Sequence, residues 1–326
     1  MNSSYYFIRC SRTTVYLETN GALYAAVCFS FILSVPIIFL NFYIVGITYY
    51  SRNMQNPANI LLAITSFCDL LIGMFSIFPW GAVVIMSTLR THNCNLFLFV
   101  VFTVYSLGFI SFLTVFLGSI DRYLAVFQPF LYQKLINNNP RFYFKWVCII
   151  AICVFLVTGL SFLTENKKLI ELVIIFMAPI FILIVFYIHA RLHIRVKMVQ
   201  KIILTQNPKE NFSDGNKNNF IENKNERKLK DRNLVARKKV EKDMKMNNLT
   251  LMVYLSTSIA YLPFVSLLIL WHFKSISYSW SWTQTFYLWA YSLTTTKSLT
   301  NPAIYFYRSK ILRRSFSRIS IKLSES

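Results

Sequence analysis

The sequence predicts an all-α membrane protein, a bundle of seven transmembrane helices followed by a short amphipathic C-terminal helix. Three observations lead to this prediction: the composition, the long apolar runs and the distribution of positive charge. The chain has 326 residues, of which 55% are hydrophobic, 17% are aromatic and only 14% are charged. This balance is too apolar for a soluble domain of this size.

Apolar runs of about 20 residues, the length needed to cross the hydrocarbon core, divide the chain into its predicted elements. They lie at residues 22–50, 57–84, 95–120, 143–163, 169–190, 248–272 and 284–307. The last run is the most polar because it contains Thr294-Thr295-Thr296-Lys297-Ser298, but hydroxyl side chains can bond back to their own helix. We therefore expect an N-terminus at 1–21, a seven-span domain at 22–307 and a tail at 308–326.

Positive charge predicts the orientation of the spans in the membrane. If the N-terminus is outside, 27 of the 34 Lys and Arg residues are cytoplasmic, and the short loops show the same bias. Cytoplasmic loops are the ones enriched in Lys and Arg, so the N-terminus is expected to be extracellular. Asn2-Ser3-Ser4 is then a candidate glycosylation site on the correct side.

The formal net charge of +21 is concentrated in a long segment between the fifth and sixth spans. Residues 195–245 are rich in Lys and Asn, and no aromatic platform of the kind that binds nucleic acid is interleaved with the basic residues. We expect no nucleic-acid partner, but a solvated loop near anionic membrane lipids, disordered at 205–230. Arg308 to Ser320 is expected to form a basic amphipathic helix on the membrane surface.

Asp121-Arg122-Tyr123 lies at the inner end of the third apolar run. Charges at such a depth cost free energy and tend to be functional. The sequence shows no nucleophile–base pair, metal-ligand cluster or phosphate-cradling glycine loop, and its four His are scattered. We therefore expect no enzyme activity, no cofactor and no metal.

Other spans carry polar or kinking residues at characteristic positions. These are Asn41, Asp69, Ser111, Trp146, Pro179 with Tyr187, Tyr261-Leu-Pro263, and Asn301-Pro302-Ala-Ile-Tyr305. Together with Asp121-Arg122-Tyr123, their order and spacing resemble the rhodopsin-like (class A) G-protein-coupled receptors over about residues 22–320. The resemblance implies a plasma-membrane receptor that binds an extracellular ligand and activates a heterotrimeric G protein.

The resemblance also implies a switch centred on Asp121-Arg122-Tyr123. Asp243, twenty residues before Pro263, is a second candidate partner for Arg122, although it could instead be a solvated acid on a basic helix. Tyr187 and Tyr305 are expected to turn toward Arg122 in the active form. The span prolines each remove a backbone hydrogen bond and let a helix half swing.

Asp69 lies near the middle of a span, where it needs hydrogen-bond donors. The candidates for one polar network around it are Asn41, Ser111, Ser298 and Asn301. Lys297 departs from the family pattern, and an unpaired Lys at that depth costs about 2.5–3.5 kcal/mol. Because the family commonly holds sodium at this acid, we expect Lys297 to pair with Asp69 and replace the sodium; the alternative is a deprotonated, hydrogen-bonded Lys297.

The predicted ligand pocket lacks the acid that amine receptors place eighteen residues before the Arg, because Val104 stands there. The resemblance places the pocket at Val104, Tyr105, Gly108, Tyr261, Phe264, Val265, Leu268, Tyr291 and Thr295. This aromatic and aliphatic set suits a neutral or lipid-like ligand or an apolar peptide side chain, and not an amine. Tyr261 also replaces the Trp usual in the family.

The cysteines depart from the family's usual bridge between the third span and the loop after the fourth, since that loop has no Cys. Cys10 and Cys94 form an alternative candidate disulfide. Such departures leave open a diverged receptor with weak or no ligand response. A seven-span transporter or channel is disfavoured, because neither an inverted repeat nor a polar stripe along several helices is visible.

Overall fold

The computed structural model describes residues 5–10, 13–18, 21–51, 57–89, 93–139, 142–163, 167–205, 224–273, 281–308 and 312–313; in several stretches, including 5–18 and 224–240, only the backbone is described. The helices are α1 (Gly21–Tyr50), α2 (Pro57–Ile72), α3 (Phe78–Thr88), α4 (Cys94–Phe127), α5 (Pro129–Tyr132), α6 (Phe142–Leu163), α7 (Lys167–Thr205), α8 (Lys224–His272) and α9 (Ser281–Arg308). A π-helical segment, Gly73–Ile77, joins α2 to α3, and another, Gln133–Asn137, follows α5. Spans one to seven are α1, α2 with α3, α4, α6, α7, α8 and α9.

Within the described ranges, six helices are long and apolar enough to cross a membrane. α9 is less apolar because it contains the polar stretch from Thr294 to Ser298 and also Asn301. It nevertheless packs against spans one, two and six, so its polar residues face other helices. The predicted seven-helix bundle is confirmed.

Spans five and six continue well beyond the apolar runs that predicted them, since α7 ends at Thr205 and α8 begins at Lys224. Residues 224–230 were predicted to be disordered, and this is wrong for the backbone: they are the first two turns of α8. Their Lys, Glu, Arg and Leu residues are good helix formers. Thr205, the first residue of the segment predicted to be disordered (205–230), is also helical as the last residue of α7, and residues 206–223 lie outside the described residues.

The N-terminal segment contains a β-hairpin that the sequence analysis missed. β1 (Tyr5–Cys10) pairs antiparallel with β2 (Thr13–Glu18), with Tyr5 opposite Glu18 and Cys10 opposite Thr13. Aromatic and β-branched residues in both segments favour strands. β1 contacts α3 and α4, and β2 contacts α9, so this end of the bundle is called the hairpin end and the opposite one the Arg122 end. Asn2 lies outside the described residues.

Hydrophobic clusters hold the spans together at both ends. At the hairpin end, Trp80, Phe97 and Tyr291 belong to one buried cluster. At the Arg122 end, Tyr305 and Leu312 belong to another, which also includes residues of spans one, three and six. Of the predicted amphipathic tail helix, Arg308 is the last residue of α9, and Leu312 and Arg313 are also described and helical.

Apolar side chains also cover much of the outside of the bundle. Ile32, Leu183 and Ile259 are 71%, 68% and 71% exposed, a pattern expected of helices that are surrounded by lipid. Inside, Gly81 permits the second span to approach the first, because a Cβ at this position would overlap the ring of Phe31. The prolines Pro36, Pro179, Pro263 and Pro302 lie within their helices.

Candidate functional site

Asp69, in the middle of span two, is completely buried and accepts four hydrogen bonds. Its Oδ1 accepts from Lys297 Nζ at 3.1 Å, from Ser111 Oγ at 2.8 Å and from Ser298 Oγ at 2.9 Å. Its Oδ2 accepts from Asn301 Nδ2 at 3.1 Å. The structure therefore brings four of the predicted network residues, from spans three and seven, onto one carboxylate of span two.

Lys297 is 2% exposed and has three kinds of neighbour. Besides the carboxylate, its Nζ donates to Ser111 Oγ at 2.5 Å and lies 5.8 Å from the centre of the Tyr261 ring. A buried charge is tolerated when it is paired and its other protons find acceptors, and an aromatic face is a further favourable neighbour for a cation. The ammonium is thus compensated by a carboxylate, a hydroxyl and a ring.

Asn41 extends the network to span one. Its Nδ2 donates to the carbonyl of Ser298 at 2.8 Å and to that of Ile37 at 2.9 Å. In the described part of the chain, Asn41 Oδ1 and Asn301 Oδ1 are buried without a hydrogen-bond partner. Buried amide oxygens of this kind are positions where ordered water binds. All six predicted network residues therefore lie in one buried polar region.

A central cavity of about 80 Å³ lies directly beside this network. Eight of the nine predicted pocket residues line it: Val104, Tyr105, Gly108, Tyr261, Phe264, Val265, Tyr291 and Thr295. The ninth, Leu268, is corrected by the structure, because it packs in a hydrophobic cluster with Ile175, Phe264 and Ala290. An apolar side chain that is 2% exposed is better buried between helices than facing a cavity.

The cavity meets the polar network at Lys297 and Ser298, which also line it. Two further polar groups on its wall, Ser76 Oγ and Tyr291 OH, are buried and have no hydrogen-bond partner among the described residues. Tyr261, on span six, donates to the carbonyl of Gly108 at 3.1 Å. Among the described residues, the cavity wall is therefore mainly apolar, with one paired cation, Lys297, and two hydroxyls that have no partner.

At the Arg122 end, the Asp121 carboxylate is held by two partners. Arg122 Nε donates to Asp121 Oδ2 at 2.7 Å, and Tyr143 of span four donates to Oδ1. Tyr132 of α5, just beyond span three, also lies close to this pair. Burial, reinforced by the negative charge of Asp121, raises the pKa of Tyr132 to about 12, so its phenol stays protonated at neutral pH. The sequence analysis missed both tyrosines, since single tyrosines near a helix end form no pattern.

The predicted partners of Arg122 on other spans differ in whether they face the bundle interior. Tyr305 is 2% exposed and lines a second cavity together with Arg122. Tyr187 is 59% exposed, with the Arg191 guanidinium 6.0 Å from the centre of its ring, so it faces away from the bundle interior. Tyr123 stacks on Phe127. The side chain of Asp243 lies outside the described residues.

One of the histidines that the sequence analysis treated as scattered is in fact a contact between spans. His189 of span five is 2% exposed and touches side chains of spans three and six. A lone His in an apolar helix gives no sequence signal of its partners. No group of three or more His, Cys, Asp and Glu that could hold a metal occurs in the described residues.

The structure contains a disulfide at Cys94, the first residue of α4. Cys28, Cys68, Cys148 and Cys153 are free. The side chain of Cys10 lies outside the described residues, but its strand, β1, contacts α4. The pairing of Cys10 with Cys94 remains a prediction that this backbone arrangement favours.

A model of the family described as 7 transmembrane receptor (rhodopsin family) matches residues 40–305. The chain belongs to this receptor family. No curated protein sequence matches it. Membership makes the chain a multi-pass membrane receptor that couples to G proteins, and not an enzyme. The resemblance stated from the sequence is confirmed.

Proposed function

We propose that the protein is a plasma-membrane receptor with an extracellular N-terminus, whose central cavity takes a neutral, lipid-like ligand or an apolar peptide side chain. One observation supports this ligand class above all: the cavity is mainly apolar, and the one cation that lines it, Lys297, is already paired with Asp69. A charged ligand would have to compete with that pair. A neutral one would not.

The residues of the cavity wall also indicate which polar groups the ligand carries. Val104 offers no counter-ion for an amine, whereas Ser76 and Tyr291 offer hydroxyls without a partner in the described part of the chain. Specific sites commonly combine an apolar wall with a few convergent polar groups. We therefore expect a ligand with an apolar body and one or two hydrogen-bonding groups.

Ligand binding would reach the G-protein side through the polar network and span six. Tyr261 lines the cavity and lies over Lys297, and Lys297 joins span seven to spans two and three. A ligand that displaces Tyr261 would therefore act on both span six and the network. To shift such a switch from 1:99 to 99:1, it must prefer the active state by about 5.5 kcal/mol.

We also propose that the ammonium of Lys297 takes the place of the sodium ion that the family commonly holds at the acid of span two. Support comes from geometry, since Nζ contacts both Asp69 Oδ1 and Ser111 Oγ. These are the oxygens that a cation at this acid would need. A second cation there would face strong repulsion from the ammonium.

Sodium sensitivity tests this substitution without any ligand. The thermal midpoint of the purified receptor is expected to be the same in sodium chloride and in potassium chloride. Lys297→Ser should become selectively stabilised by sodium, and the double variant Lys297→Ser/Asp69→Asn should lose that effect. A sodium-selective shift in the unmodified receptor, abolished by Asp69→Asn alone, would exclude the proposal.

The cavity and the coupling are tested by screening neutral lipids, nucleosides and peptides while G-protein dissociation is recorded in cells. Gly108→Leu should abolish the response to any hit, because Gly108 lines the cavity and a Cβ there would already lie 3.8 Å from the Tyr261 hydroxyl. Gly159→Leu is the matched control, since a Cβ at Gly159 meets nothing within 4 Å and Gly159 is not among the lining residues. Equal responses in both variants would place the ligand elsewhere. No response to any class would favour the diverged receptor.

A further inference from the structure

His189 forms a hydrogen-bonded bridge between three spans near the Arg122 end. Its Nε2 lies 3.3 Å from Ser119 Oγ of span three, and its Nδ1 lies 3.3 Å from Asn247 Oδ1 of span six. All three side chains are at most 3% exposed. A single imidazole of span five thus contacts both neighbouring spans through its two nitrogens.

The acceptor on span six determines the roles of the two ring nitrogens. Asn247 Oδ1 can only accept, so Nδ1 carries the proton and donates to it. In the neutral ring Nε2 is then an acceptor, and the Ser119 hydroxyl, which also lies 3.4 Å from the carbonyl of Val115, donates to it. Both nitrogens are satisfied, and no charge needs to be buried.

Tyr254 supports the bridge from span six. Its ring stacks on His189, with centres 5.8 Å apart and planes inclined by 21°, and its hydroxyl donates to the carbonyl of Ile182 at 2.5 Å. Span five also buries Val185, Leu192 and Val196, which recur at helical spacing on the same face as His189. His189 is therefore the polar member of an otherwise apolar contact face.

The bridge lies directly beside the switch residues along the chain. Ser119 is three residues before Arg122, and Asn247 is four residues after Asp243. Residues three or four apart share one face of a helix, so the bridge lies about one turn from Arg122 on span three and one turn from Asp243 on span six. Any outward movement of the inner half of span six must separate Asn247 from His189.

We propose that His189 is a positioning residue of the receptor switch, which holds span six, through Asn247, against spans three and five in the resting arrangement. The inference rests on the proposed function, since it assumes that movement of span six exposes Arg122 to the G protein. The bridge is an uncharged contact between spans, in addition to the predicted Asp243–Arg122 ion pair. It gives span five a role in stabilising the resting state.

The geometry of the bridge suits a contact that must open. Both distances are slightly longer than the usual range for such bonds, and one neutral hydrogen bond changes an equilibrium by roughly 2- to 12-fold. A bridge of this strength raises the resting population without locking the receptor permanently. Loss of it should therefore raise the population with span six displaced by a factor in this range.

Two variants and one control test the bridge in the purified full-length receptor. His189→Phe keeps a ring beside Tyr254 but removes both hydrogen bonds, and Asn247→Leu removes the acceptor. His193→Phe is the matched control, because His193 lies one turn later on the same helix and is exposed. The distance between spin labels, attached through unnatural amino acids at Lys134 and Lys245, reports the position of span six without any G protein.

We expect the long-distance population to rise roughly 2- to 12-fold in His189→Phe and in Asn247→Leu, with no change in His193→Phe. Because both variants break the same contact, the double variant should rise no further than one of the single variants. Unchanged distances in both single variants would overturn the bridge. If His189→Phe does not fold, Asn247→Leu alone decides the question by the same criterion.

Basal G-protein activation, measured at matched surface expression, separates this inference from the proposed function. A rise in both the long-distance population and basal activation supports the bridge and the coupling together. A longer distance with unchanged basal activation supports the bridge but contradicts the proposed coupling through Arg122. Raised basal activation with an unchanged distance overturns the bridge.

Discussion

In the described part of the receptor, two ion pairs have a buried acid, and they differ in how many spans they join. Asp121 and Arg122 are neighbours on α4, so this pair persists when the spans move. Lys297 and Asp69 are 228 residues apart in the chain and join span seven to span two. The first pair keeps the Arg122 guanidinium bound within its own span whatever the positions of the other spans. The second pair joins span seven to span two and resists their separation.

The acids of the two ion pairs also differ in how many hydrogen bonds they receive from other spans. Four donors from two other spans surround Asp69, and a carboxylate with this many hydrogen bonds to other helices stiffens the structure that contains it. Asp121 has one described side-chain partner from another span, Tyr143, and Arg122 lines a cavity. The comparison indicates that the middle of the bundle is its rigid centre and the Arg122 end is the part that can open.

The largest expected effect comes from breaking the long-range pair. Lys297→Met should destabilise the receptor by about 3–5 kcal/mol, because it leaves the buried Asp69 carboxylate without a counter-charge. Its thermal unfolding and surface yield should both fall sharply. Replacing both partners, in Lys297→Met/Asp69→Asn, should recover most of the loss, since neither residue then carries an unpaired charge.

Lys134→Met provides the control, since Lys134 is exposed beyond the end of span three and exposed charges contribute little to stability. If Lys297→Met were no more destabilising than Lys134→Met, Lys297 would be the neutral, hydrogen-bonded amine of the alternative interpretation.

The local pair should give a smaller effect, of a different kind. Asp121→Asn should leave the fold largely intact but raise basal G-protein activation, because it removes a charge-assisted contact worth about 1.5–3 kcal/mol that restrains Arg122. Tyr143→Phe should raise it less, since it removes only one donor to Asp121. Reporter output at matched surface expression measures both. Output in Asp121→Asn at or below that of the unmodified receptor would contradict this role.

The two regions were not equally predictable from the sequence. Asp69 and Lys297 were predicted as a pair because a charge inside an apolar span needs a partner and few candidates exist. The cavity residues were predicted by their resemblance to the family, and Leu268 was misplaced because helical spacing cannot tell a cavity wall from a packed neighbour. Such positions depend on helix rotation, which the sequence leaves open.

Other features were missed for equally physical reasons. Tyr143 and His189 are uncharged side chains that hydrogen-bond to residues of other spans, and an uncharged polar side chain costs too little to demand a partner. The hairpin at 5–18 was missed because its polar residues interrupt the apolar signal. Predictability therefore followed the cost of leaving a group unsatisfied: it was high for buried charge and low for neutral contacts.

The smallest expected effect concerns Asp243, whose role as the inter-span partner of Arg122 is a proposal. If it holds span six to span three, Asp243→Asn should raise basal G-protein activation by roughly 1.5- to 5-fold, the range expected for a partly solvated ion pair worth about 0.2–1 kcal/mol.

Glu241, two residues earlier on the same helix, is the matched control for Asp243. The hydrogen bond from Lys245 lowers the pKa of the Glu241 carboxyl, so it is ionised at neutral pH and bound to its own helix. Glu241→Gln removes the same charge without reaching span three, and basal activation should not change. Equal responses in the two variants would show that only the charge of this helix matters. Arg122 would then be restrained in the resting state by Asp121 and the His189 bridge alone.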